Sequence, residues 1–223
     1  MPVSVQAVIF DVDGVLIDSL PEHLAICRDK AAEFGLNQTI PTVAEFRHKV
    51  SAGTKVSPMF YFFLAVGFPP ELAQRADQDY RREFMTHYQP KAFAGIDAML
   101  ATLKEGGLKF GLVTSNIRAN VVPALGNAMR YFDPHGLFFV DRTAEPKSKA
   151  WSLAECARSL KVAPQQCVYV GDQPADAAAA AEAHTQFLGV TYGWGITKAE
   201  THYRTVDSVE EIAQRLIRHH LPA

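Results

Sequence analysis

Asp11 and Asp13 stand two residues apart, with Gly14 next, at the end of an apolar run made of Val5, Ala7, Val8, Ile9 and Phe10. Two crowded carboxylates at the end of a buried strand are costly unless a cation or a reaction needs them there. Hard oxygen ligands suit Mg²⁺, and Gly14 lets the backbone turn sharply beside a bound group. By itself this string is also an ordinary strand followed by an Asp-Gly turn. Three more polar clusters separate the readings: Thr114-Ser115-Asn116, the stretch from Glu145 to Lys149, and Gly171-Asp172 followed by Asp176. Together they suit phosphoryl transfer. Asp11 is equipped to attack phosphorus as a carboxylate nucleophile. Asp13 is equipped to protonate the leaving oxygen and then take a proton from water. Mg²⁺ held by Asp11, the Asp13 carbonyl and Asp172 would neutralise the phosphoryl oxygens. The Thr114 hydroxyl, strand-end amides and a lysine would complete the cradle.

Such groups converge only if the elements carrying them lie side by side. Leu108 to Val113, Leu137 to Val140, Cys167 to Val170 and Phe187 to Val190 read as strands, the first and third of them ending in the polar clusters. Helical spacing appears between them at Ile96 to Leu103, Ala119 to Met129, Leu153 to Leu160 and Ala175 to Ala183. A capping box at Ser208 and Glu211 opens a last helix. Alternating strands and helices predict a Rossmann-like α/β fold, a parallel sheet core with helices on both faces, whose ligands bind at the carboxyl ends of the strands. Residues 20 to 88 show helical periodicity alone. They predict an inserted all-helical cap domain over 18–90, set into an α/β core of 1–17 and 91–223, with hinges near Leu16 to Pro21 and Gln89 to Gly95.

The bulk numbers narrow the function classes. The 223 residues are 48% apolar and 21% charged, as in a soluble globular protein. A net charge of −2 with no basic block gives no electrostatic case for nucleic acid. No apolar run approaches the ~20 residues of a membrane span, and the N-terminus lacks a secretory pattern. Cys27, Cys156 and Cys167 fit no metal spacing and read as core. A cytoplasmic enzyme, monomer or homodimer, acting on a small phosphate ester is expected.

The motifs DVDGVLIDS, VTSN and GDQPAD, in that order, resemble those of the haloacid dehalogenase superfamily, in the branch with a helical cap after the first motif. Phosphoglycolate phosphatase-like members are the nearest in pattern. The resemblance implies an Mg²⁺-dependent phosphatase working through a phospho-aspartate. Asp11 would be nucleophile, Asp13 acid and base, Thr114 the phosphate ligand, and Asp172 with Asp176 would join Asp11 and Asp13 at the metal. It also implies a motif lysine. Lys147 is preferred over Lys149 because its distance from Gly171 suits the family, although the usual Lys-Pro pair is absent. Ser115, and the cap residues Gly53, Thr54, Lys49 and Lys55 at the Ala52-Gly53-Thr54 break, are the expected substrate-binding residues. Asn116 is left without a clear role.

Other readings stay open. A β-phosphoglucomutase-like enzyme shares the cap and the motifs and would pass the phosphoryl group to a sugar. A binding protein that kept the fold without turnover is a third. Dehalogenases and phosphonate hydrolases are disfavoured because Asp13 is present. Asp18 and Ser19 are expected to cap the first cap helix. Trp151, Trp194 and the remaining histidines, including His219 and His220, are expected to pack or to lie on the surface.

Overall fold

The computed structural model describes residues 4–143, 145, 147–198 and 202–218. Its frame is a six-stranded parallel sheet of β1 (Ala7–Phe10), β4 (Lys109–Val113), β5 (Leu137–Phe138), β6 (Cys167–Gly171), β7 (Gln186–Val190) and β8 (Thr205–Val206), in the order β5-β4-β1-β6-β7-β8. Strand β1 lies between β4 and β6 and is buried throughout, which accounts for its unbroken apolar run. Its side chains alternate between faces. Val8 and Phe10 join one cluster with Leu100 of α5 (Ile96–Glu105) and Ile212 of α9 (Val209–Arg218). Ala7 and Ile9 join the opposite cluster with Leu153 of α7 (Lys149–Ser159) and Ala180 of α8 (Pro174–Glu182).

Register decides where the chemistry emerges. Phe10 pairs with Leu112 on one side and with Val170 on the other. Asp11, Thr114 and Asp172 therefore follow at the same edge of the sheet, the carboxyl edge at which parallel sheets bind ligands.

Between β1 and β4 run α1 (Leu20–Glu33), α2 (Val43–Ser51), α3 (Met59–Ala65) and α4 (Pro70–His87). They bury an apolar cluster of their own, built on Leu24, Phe46, Phe62, Phe63 and Phe84. The chain enters and leaves this insert through β2 (Ile17–Asp18) and β3 (Lys91–Ala92), which pair antiparallel with Ile17 opposite Ala92. The two expected hinges are thus hydrogen-bonded to each other as a short ribbon.

Local differences have local causes. The helix expected over Ala119 to Met129 is α6 (Arg118–Leu125), which stops at Gly126, where φ is +50°, and continues as a 3₁₀ helix to Tyr131. The strand expected over Leu137 to Val140 ends at Phe138 because Val140–Arg142 winds into another 3₁₀ turn. Edge strand β8 carries too short an apolar signal to be read. At the start of α9, Ser208 Oγ accepts from the Glu211 amide at 3.4 Å, while the Glu211 carboxylate takes the Asp207 amide at 2.9 Å. All three cysteines are free and buried. His219 and His220 lie outside the described residues.

Gly111 on β4 tests how closely α7 lies on the sheet. A Cβ there would collide with Cys156 Sγ of α7 and come within 3.2 Å of Leu160. Gly111→Ala should destabilise the fold by about 1–3 kcal/mol through overpacking. Cys156→Ala added to it should return part of that loss, read from urea unfolding midpoints of the single and double variants.

Candidate active site

Asp11 leaves β1 directly into the site. Its Oδ1 accepts the Val12 amide at 2.8 Å, and its Oδ2 accepts the Lys149 ammonium at 2.8 Å. The same ammonium donates to Asp176 Oδ1 at 2.6 Å. Asp176 sits one turn into α8, and its Oδ2 takes the amides of Asp172 at 3.1 Å and Gln173 at 3.0 Å. The Asp172 side chain is wholly buried; Oδ2 takes the Trp194 amide at 2.5 Å and Oδ1 has no partner. Gly14 passes so close that a Cβ would run into the Asp172 carboxylate and the Trp194 indole, and its φ of +77° already favours glycine.

The electrostatics follow from burial. Desolvation, opposed by Lys149 and reinforced by Asp176, pushes the Asp11 carboxyl up to about 7. Burial, then Asp176 and Asp11, holds Asp172 well above the usual carboxylate range. Burial works against the Lys149 charge, but Asp11 and Asp176 outweigh it and keep the ammonium protonated. Three buried carboxylates, with oxygens within 4.8 Å of one another, thus face one cation. A divalent cation fits this donor set: it would balance the remaining charge and use the unpartnered Asp172 oxygen.

Asp13 lies beside this group with both oxygens occupied. Ser19 Oγ donates to Oδ1 at 2.6 Å and Asn116 Nδ2 donates to Oδ2 at 3.0 Å. Thr114 is buried at the end of β4, where its Oγ1 accepts the Asn116 amide at 3.0 Å and keeps its own proton to donate. Asp11, Asp13, Thr114, Ser115, Asn116 and Lys149 form the floor of one cleft. Helices of the insert roof it with His23, Met59, Phe62, Tyr80 and Arg81, and Trp194 closes one side. The space left for water-sized molecules is about 40 Å³.

Several expected positions need correction. The lysine beside Asp11 is Lys149, not Lys147. Ser148 Oγ caps α7 by accepting the Trp151 amide at 3.1 Å, so Lys149 is the first helical residue and reaches the strand ends. Lys147 lies before the cap, 40% exposed, with its amine 3.5 Å from Glu145. The insert loop also departs from expectation. Gly53 and Thr54 are exposed, Lys49 donates to the Ala65 carbonyl at 3.2 Å, and Lys55 sits 3.6 Å over the Tyr61 ring. None of these four lines the cleft; the next residues, Val56 to Met59, do. Ser19 occupies the N-cap position of α1 but makes no capping bond, since its hydroxyl is spent on Asp13. Trp194 lines the cleft while packing edge-on against Phe62. His23 and Tyr80 had no readable signal, because both sit where helical periodicity places core residues. Asn116 was visible as a polar residue at a strand end.

The raised Asp11 value has a consequence for stability. Between the unfolded value of 3.8 and about 7 the folded state binds the Asp11 proton more tightly than the unfolded chain does. Its contribution is full below pH 4 and is lost as pH rises through about 7. In metal-free protein, Asp11→Asn should therefore gain stability relative to the parent as pH rises from 4 to 8. Urea unfolding of both proteins across that range would show a parallel pair of curves if this is wrong.

Comparison with known proteins places the chain among relatives. The sequence pattern of the haloacid dehalogenase-like hydrolases matches residues 8–190. A phosphoglycolate phosphatase of Xylella fastidiosa is 33% identical over 198 residues, covering 85% of this chain and 81% of that protein. An N-acetylmuramic acid 6-phosphate phosphatase of Pseudomonas putida is 28% identical over 200 residues, covering 85% and 84%. Among solved structures, a haloacid dehalogenase-like hydrolase from Bacteroides fragilis superimposes with a TM-score of 0.78 at 21% identity, over 94% of this chain and all of that one. The pattern runs from β1 through β7 and takes in the insert and the polar clusters around Asp11, and the chain belongs to the haloacid dehalogenase-like hydrolases.

Proposed function

We propose that this chain is an Mg²⁺-dependent phosphatase that hydrolyses a small phosphorylated metabolite through a phosphorylated Asp11. The observation that carries the reading is the Lys149 ammonium bridging Asp11 and Asp176 beside an unpartnered, buried Asp172 oxygen. Asp11, Asp172 and the Asp13 carbonyl would hold the metal, with Asp176 anchoring Lys149 and the start of α8. Bound there, Mg²⁺ supplies charge neutralisation of the phosphoryl oxygens.

The chain's own residues do the rest. A carboxylate oxygen of Asp11 bonds to phosphorus as the ester P–O bond breaks, and Asp13 gives its proton to the departing oxygen. Water then attacks the acyl phosphate, Asp13 takes the proton, and Asp11 and inorganic phosphate are released. Thr114 Oγ1 and the Lys149 ammonium donate to the phosphoryl oxygens, where each pre-set donor is worth a few kcal/mol.

Residues 18–90 act in this reading as a cap over the core formed by 1–17 and 91–223. Residues of the insert roof the cleft, and in this reading the insert lifts to admit substrate and closes again to exclude water. The relatives' names make phosphoglycolate and N-acetylmuramic acid 6-phosphate the first esters to try. Among the described residues no helix is long and apolar enough to cross a membrane, and the cytoplasm is the proposed location.

Phosphate release from a panel of metabolite esters, with Mg²⁺ and with chelator, tests this. Release should need the metal and vanish in Asp11→Asn. Lys149→Met should lower kcat by roughly 10²–10³-fold, as loss of a transition-state donor does, while Lys147→Met should retain parental kcat. A sugar phosphate isomerised without phosphate release would replace hydrolysis by the mutase reading.

A further inference from the structure

The floor of the cleft carries the acids, Thr114 and Lys149, and the roof decides what else the cleft can hold. Of the insert residues on the roof, Val56, Pro58, Met59 and Phe62 are apolar and Ser57 is uncharged. The polar tips beside them are engaged. His23 Nδ1 lies 2.6 Å from the Ser19 carbonyl, and the Tyr80 hydroxyl lies 3.1 Å from both His23 Nε2 and Asn116 Oδ1. Burial holds the His23 imidazole below its ordinary value and hence neutral. Among the described residues, Arg81 is therefore the one charged side chain that the insert brings to the cleft.

Arg81 is also set in position. It follows Tyr80 on α4, and its Nε donates to Asp77 Oδ2 at 3.1 Å, one turn back on the same helix. That bond uses Nε alone. Both terminal nitrogens are without a hydrogen-bond partner among the described residues. A guanidinium held by Nε and free at its two ends presents the planar fork that matches a carboxylate. The other cation on the cleft, Lys149, is divided between Asp11 and Asp176. In-line attack by Asp11 puts the leaving oxygen on the far side of phosphorus. Because Asp11 belongs to the floor, the leaving group projects toward the roof. A leaving group made of hydroxyls would meet apolar surface and engaged polar tips there, whereas one ending in a carboxylate would meet the fork.

We propose that Arg81 selects esters whose leaving group bears a carboxylate, by pairing with that carboxylate across the cleft from Asp11. The inference rests on the phosphatase reading for the side of phosphorus that the leaving group takes, and on the Asp77–Arg81 pair for the recognition. It makes the preferred substrate a phosphorylated hydroxy acid rather than the phosphate of a neutral sugar or alcohol.

Phosphoglycolate and ethyl phosphate differ by a carboxylate in place of a methyl, so the ratio of their kcat/KM values reads what that carboxylate is worth. The parent should favour phosphoglycolate. Arg81→Met, at an exposed helix position where a substitution leaves the fold intact, should cut the ratio about tenfold. That is the low end for a charged hydrogen bond, because the Arg81 side chain is 38% exposed and water screens the pair. A ratio left unchanged, whether both esters are lost together or neither is, would overturn the proposal. Binding supplies an arm without turnover. Phosphonopropionate and propylphosphonate replace the bridging oxygen of the same two esters with a methylene. In calorimetric titrations of the Mg²⁺-loaded parent, phosphonopropionate should bind about tenfold more tightly, and Arg81→Met should remove the difference. Equal affinities in the parent, or no binding of phosphonopropionate, would refute the selection. A parent inert on every ester would sink the phosphatase reading, while the phosphonate titrations would still decide the recognition.

Discussion

The site depends on a single ammonium among three buried carboxylates. Lys149 reaches Asp11 and Asp176 at once, and without it the sheet edge would gather like charges in a low-dielectric setting with nothing to oppose them. The bridge also links three elements, since Asp11 leaves β1, Asp176 opens α8 and Lys149 opens α7. Asp176 spends its second oxygen on the amides at the β6–α8 turn and so holds Asp172 in place. One positive charge thereby organises the geometry, and the charge it leaves uncompensated makes the cluster receptive to a divalent cation.

The insert adds a second constraint, because its apolar cluster is completed from outside. Trp194, in the loop after β7, packs against His23, Phe46 and Phe62, and its amide donates to Asp172. The residue that helps fix the buried carboxylate therefore also seats the insert. Arg47 of α2 adds a bond to the Thr191 carbonyl at 2.6 Å in the same loop. Roof and floor are joined by packing and by polar contacts at the reacting centre, so insert position and site geometry are not independent.

Much of this was readable in advance because its signals are local. The run from Val5 to Phe10 is apolar at every other position and beyond, since β1 is covered on both faces. The Asp-rich and Thr-rich strand ends are contiguous strings, and parallel register brings them to one edge. The choice between Lys147 and Lys149 was different. Motif distance favours the first, but the start of α7 is set by the Ser148 cap, which makes Lys149 the first helical residue and leaves Lys147, two positions earlier, outside the helix beside Glu145. The basic loop after α2 misled for a related reason: composition shows that charges are present without showing which way the chain turns.

The sequence by itself determined the parallel α/β core, the all-helical insert after the first motif, and the set of acids and hydroxyls at the strand ends. Each of these is written in periodicity or in residues a few positions apart. Only the tertiary structure decided which lysine meets Asp11, that Ser19 serves Asp13 instead of its helix, and that His23 and Tyr80 reach Asn116 across the cleft. Those contacts join residues as far as 57 and 138 positions apart. They arise from helix phase and from the seating of one packed layer on another, and neither leaves a pattern in any single window of the chain.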